Sequence, residues 1–187
     1  MENIIDQVKL AALEEIKKFG TPKLEHFFLA NAKGQELAEK LNADKNIVLL
    51  GTILMDFKLG QCLSKNRVAD HIKESDDAAK SLLISLGCEE RFVQKVTACI
   101  QSHHGQKTYP SLEAEICANA DCYRFLSPAG FFNGFMLFCN RGLSIEECLK
   151  NVEAKVDEKR SIISLDICKA ETEAYYQEMK DLLAGAQ

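Results

Sequence analysis

Ile47–Leu59 reads IVLLGTILMDFKL, and the rest of the chain is organised by what that stretch can be. It is apolar nearly all the way round, as an element buried on every side must be. Taken alone it passes equally for a buried strand, because Ile, Val and Leu dominate it. Its surroundings decide for a helix. The 187 residues hold three prolines and few stretches that alternate apolar with polar. The expected fold is therefore all-α, a compact multi-helix bundle, with Ile47–Leu59 as its central helix.

Working outward, Met1 to Phe19 carries Ile4, Val8, Ala11, Ala12, Ile16 and Phe19 at three- and four-residue steps, an amphipathic helix ended by Gly20. Thr21 and Pro22 have the residue types of an N-cap and first turn, so a second helix is expected from there through His26 to about Leu41. Gly60 to Asn66 reads as a loop and Val68 to Leu86 as a helix closed by Gly87. Glu89–Ser102, Ser111–Phe125 and a short apolar piece from Phe131 to Cys139 follow. Ser144 with Glu147 makes a capping box opening a helix toward Lys159, and Leu165 to Ala184 forms the last. No repeat or linker divides the chain, so residues 1–187 are expected to form one domain.

Composition narrows the function classes. A hydrophobic fraction of 47% with 27% charged residues is that of a globular protein with a full core. A net charge of −5 argues against a nucleic-acid or anionic-membrane surface. The apolar run Ile47–Met55 falls well short of the ~20 residues that a membrane-spanning helix needs. Glu2 and Asp6 stand where an export signal would be positive, so a cytoplasmic setting with reduced thiols is expected. The eight cysteines, most among apolar neighbours, read as small buried hydrophobes. Phe131, Phe132, Phe135 and Phe138 read as helix packing rather than a base-stacking platform.

The chemistry lies in scarce residues. There are four histidines, His26, His71, His103 and His104, each in or at the end of an expected helix. Two carboxylates, Asp56 and Asp121, stand in otherwise apolar helical stretches. A buried carboxylate costs several kcal/mol unless a partner meets it. A metal ion is one such partner, and His with Asp is an ordinary ligand set. The plain reading of any single member is a surface or satisfied core residue, with Asp56 meeting Lys58 or Arg67.

Taken in order, these residues resemble the HD superfamily of metal-dependent phosphohydrolases. His26 in KLEHFFLANA resembles the helix of the family's first His, and VLLGTILMDFKLG the helix of its His-Asp pair. His71 in DHIKESDDAAK, the pair in VTACIQSHHG, and LEAEICANADCYRF, with Asp121, resemble the later motifs. The likeness runs from about Leu24 to Phe125, with the helices of 128–187 packed on that core. It implies an all-helical domain, a divalent ion (Mn, Fe, Ni, Zn or Mg) and a small phosphorylated substrate such as a nucleotide. The implied ligands are His26, Asp56, His71, His103, His104 and Asp121. Asp56, His71 and Lys58 are implied in the reaction; Lys58, with Lys65 and Arg67, would receive phosphate oxygens unless these only line a solvated loop. The sequence departs from the family at two places. Met55 replaces the His of the His-Asp pair, a soft and weak ligand for such ions, and Asn119 replaces the first Asp of the closing segment. A degenerate, non-catalytic ligand-binding or regulatory module is the alternative reading. A lid or homodimer contact is open to the segment after Gly142, which carries no recognisable chemistry.

Overall fold

A computed structural model describes residues 1–186, and among these every regular element is helical. The α-helices are α1 Glu2–Phe19, α2 Leu24–Lys40, α3 Lys45–Leu54, α4 Leu59–Ser64, α5 His71–Ser85, α6 Glu90–Ser102, α7 Leu112–Cys122, α8 Pro128–Cys139, α9 Ile145–Ile162 and α10 Asp166–Ala186. The all-α expectation holds.

Helix α3 is the centre, packed against α1, α2, α5, α6 and α7. Asp44 caps it, accepting hydrogen bonds from the backbone of Asn46 and Ile47. Val48, Leu50 and Leu54 are fully enclosed. Gly51 lets it cross its neighbours closely. A Cβ there would lie 2.6 Å from Cβ of Cys99 on α6 and 2.8 Å from Sγ of Cys117 on α7. Lys45–Ser64 is long and apolar enough, at a mean hydropathy of 1.5, to cross a membrane, but 61% of that window is buried inside the fold, as in a core helix.

The helix ends sooner than the periodicity suggests. It stops at Leu54, and Met55 to Lys58 form a turn held by a hydrogen bond from the Lys58 amide to Oγ of Ser75 on α5. The expected loop at 60–66 is largely helix α4. Gly60 is there for space rather than as a breaker: its Cβ would lie 2.5 Å from that of Phe19 at the end of α1. Two further boundaries move. Helix α2 begins at Leu24 rather than at Pro22, and a 3-10 turn, Val68–Asp70, precedes α5, which makes His71 the first residue of that helix.

Asn119 clamps the junction of the last two helices to α7. The Asn119 amide donates to the Glu115 carbonyl and to Oγ of Ser164, and accepts from the backbone N–H groups of Ser164 and Leu165 at the α9–α10 junction. A carboxylate could accept there but could not donate, so the Asn fits the junction it holds. The Ser144–Glu147 capping box forms as read. All eight cysteines are free thiols, six of them buried. Phe131 and Phe138 enter the core, whereas Phe132 faces solvent.

Candidate metal and ligand site

The turn after α3 delivers Asp56 to the middle of the bundle, where it is 6% exposed. Two different environments meet at this carboxylate.

On one side stand the histidines of α5 and of the end of α6. His71 and His103 each place Nδ1 2.7 Å from a carbonyl three residues back, that of Val68 and that of Ile100. A carbonyl only accepts, so each Nδ1 carries a hydrogen, and in the neutral ring each Nε2 keeps its lone pair. Those Nε2 atoms face Oδ1 of Asp56 at 3.6 and 3.7 Å, too far for a hydrogen bond. The Nε2 of His103 is buried with no hydrogen-bond partner. His104 completes the group, its ring centroid 4.3 Å from that of His103 and 5.0 Å from that of His71. One ligand atom from each of the three rings lies within 4.8 Å of the others. Partial enclosure of the ring, then the neighbouring His103 and Lys159, push the His104 pKa down to about 3, although its outer edge meets solvent. Lone pairs turned on a carboxylate repel unless a cation stands between them. Ligands sharing an ion at about 2.1 Å lie roughly 3 to 4 Å apart, the range of the Asp56 distances. The group fits a divalent metal ion.

On the other side stands Asp121, on α7. Nη1 of Arg124, one turn along, lies 2.6 Å from Oδ2 of Asp56 and 2.6 Å from Oδ1 of Asp121. Nζ of Lys159, from α9, lies 2.6 Å from Oδ2 of Asp121. All four side chains are buried or nearly so. Burial alone would raise the Asp56 pKa, but the Arg124 guanidinium holds it well below the usual carboxylate range. Asp121 is held down against its burial by Lys159 and Arg124, and both cations are pushed up in return.

His26, on α2, is 1% exposed, with its ring 5.1 Å from that of Phe125 and its Nε2 unpartnered. Burial, then the charge of Arg124, lowers its pKa to about 4. Met55 is buried. The set His26, Met55, Asp56 and Asp121 does not fit a metal ion: a thioether is a soft, weak ligand for such ions, and a guanidinium already bridges the two acids.

Asp56, His71, His104, Asp121, Arg124 and Lys159 lie on the wall of a cavity of about 330 Å³, which Arg141 and Lys155 also line, with Leu59, Leu63, Val68, Leu137 and Phe138 as its apolar part. Lys58 is turned away, paired with Glu15 of α1 at 3.1 Å, and Arg67 pairs with Asp70 and Glu74. Neither Lys58, Lys65 nor Arg67 is part of this wall. The cations that are, Arg124, Arg141, Lys155 and Lys159, are not among the residues expected from the sequence. Arg124 could have been noticed one helical turn after Asp121; Lys159 carries no local signal.

No family model matches the chain, and no curated protein matches it. Among solved structures it is similar to Bacillus subtilis YpgQ, with a TM-score of 0.71 and 16% identity over 98% of this chain and 94% of that one. It is also similar to a predicted HD superfamily hydrolase from an uncultured Thermotogales bacterium, with a TM-score of 0.62 and 21% identity over 81% of this chain and 84% of that one.

Proposed function

Starting from a chain that has the fold of an HD superfamily hydrolase, we propose that this protein is a metal-dependent phosphohydrolase acting on a small phosphate ester, a nucleotide being the type of molecule that fits. One observation carries the reading: His71, His103 and His104 gather ligand nitrogens within 4.8 Å of one another, and the Nε2 atoms of His71 and His103 face Asp56 with their other nitrogens fixed by carbonyls. Such outer hydrogen bonds fix tautomer and ring direction, as in ligating histidines generally.

Three imidazole nitrogens suit Zn, Fe, Mn or Ni better than Mg, which prefers oxygen. A divalent ion held there supplies Lewis acidity toward a phosphoryl oxygen and makes water more acidic. The chain's own residues do the rest. Arg141 and Lys155 offer positive charge to phosphate oxygens, joined by whatever N–H donors Arg124 and Lys159 leave free of the carboxylates. Leu59, Leu63 and Val68, with Leu137 and Phe138, cover the organic part and keep water from it. A cavity of about 330 Å³ takes a single small molecule and not a polymer. The setting we assign is cytoplasmic, without nucleic-acid or membrane partners.

The test is metal analysis of the purified protein after Mn²⁺ or Zn²⁺ supplementation, with hydrolysis of p-nitrophenyl phosphate and a nucleotide panel. We expect a bound ion and turnover, both lost in His103→Gln. A protein that takes up no ion defeats the proposal. The second reading, a non-catalytic binding module, is favoured by Met55 and by the Arg124 bridge; nucleotide binding without turnover by the metal-loaded protein would select it.

A further inference from the structure

Two carboxylates and two cations make the Asp121 side of the site electrically complete. Nη1 of Arg124 touches Asp56 and Asp121 at the same 2.6 Å, and Lys159 takes the remaining oxygen of Asp121. An ion entering between the two acids would have to expel a buried guanidinium that has no other acid partner. We propose that Arg124 is a built-in cation that keeps metal off the Asp121 side, so that the chain holds a single ion, on its histidines, and that Met55 and Arg124 work as a pair. Of the two, Arg124 is the one that excludes. Replacing Met55, which precedes Asp56 in the same turn, would leave the two acids bridged as before. Removing Arg124 would leave Asp56 and Asp121 facing each other with only Lys159 between them and the core, an arrangement that calls for a new cation. Arg124 thereby positions Asp56, whose Oδ2 it holds while Oδ1 is turned to the histidines. The count of one ion in the unaltered protein rests on the histidine reading above; the exclusion by Arg124 does not.

The experiment titrates Mn²⁺ into the unaltered chain and into Met55→His, Arg124→Met and the double variant, reading stoichiometry by calorimetry and Tm with and without the ion. Met55→His should bind as many ions as the parent. The double variant should bind one more per chain. Arg124→Met should lose roughly 10 °C in ion-free buffer and regain more of that with Mn²⁺ than the parent gains. An extra ion in Met55→His alone overturns the proposal, as does a folded double variant that binds none extra. If Arg124→Met does not fold, Arg124→Lys in the Met55→His background keeps the charge in place and must bind no extra ion; uptake there also overturns it. His103→Gln added to the double variant separates the two ideas. It should remove the histidine-bound ion and leave the new one, so failure of the histidine reading shows as a parent without metal, while failure of the Arg124 reading shows only in the difference between variants.

Discussion

The two faces of Asp56 carry the same kind of need and meet it differently. Toward Asp121, every negative charge has a fixed positive partner from the turn after α7 or from α9. Toward His71 and His103, ring nitrogens face a carboxylate oxygen with nothing between them at hydrogen-bonding distance. The first face is finished by the fold. The second is left for something from outside, and that asymmetry separates a structural polar cluster from a binding site more clearly than burial or residue type does.

The comparison can be broken most forcefully on the finished side. Asp121→Ala strands Lys159 and half of the Arg124 bridge, and should cost about 4 kcal/mol of unfolding free energy in urea titrations without metal. A cost below about 1 kcal/mol would mean that the cluster is not what it looks like.

Acid should dismantle the structure in two stages. The folded-state pKa of His26 is lowered from 6.5 to about 4 and that of His104 to about 3. As the pH falls below 6.5 the unfolded chain takes up these protons first, so stability drops between about pH 6.5 and 4, by on the order of 3 kcal/mol for His26. Asp56 and Asp121 are lowered from a carboxylate's ordinary value. Their contribution is present above that value and is lost only at lower pH still. Urea midpoints at pH 7, 5.5 and 4.5 should fall steadily; a flat profile down to 4.5 contradicts the histidine environments described.

The smallest effect sharpens the other side. His103→Gln removes a ring whose Nε2 has no partner, and in metal-free buffer should change stability by about 1 kcal/mol or less, while abolishing the rise in Tm on adding Mn²⁺. A variant as damaging as Asp121→Ala would show the histidines to be as structurally engaged as the acids.

Much of this was legible in the sequence, for reasons that can be named. Ile47–Leu59 announces a core helix because few other patterns bury all faces at once, and Ser144 with Glu147 marks a helix start because the cap is local. The histidines could be ordered because there are only four. What stayed hidden depended on distance. Lys159 is one of 23 Lys and Arg residues, and its partner lies 38 positions away. Helix α4 reads as a loop in the sequence because Gly60 looks like a breaker until Phe19 is seen against it. Asp56 sits in a turn rather than in mid-helix because α3 stops at Leu54, which its apolar run does not reveal. Lys58, near Asp56 in sequence, points to Glu15 because the turn carries it to the other side.

The clamp at Asn119 bears on where this domain ends. Every histidine and aspartate that the family likeness names is passed by residue 121, yet the charge that balances Asp121 arrives from α9, and α9 is pinned where it meets α10. A fragment cut after α8 would hold the complete motif set and two acids sharing a single cation. Electroneutrality thus ties the signature residues to a helix well downstream of the last of them.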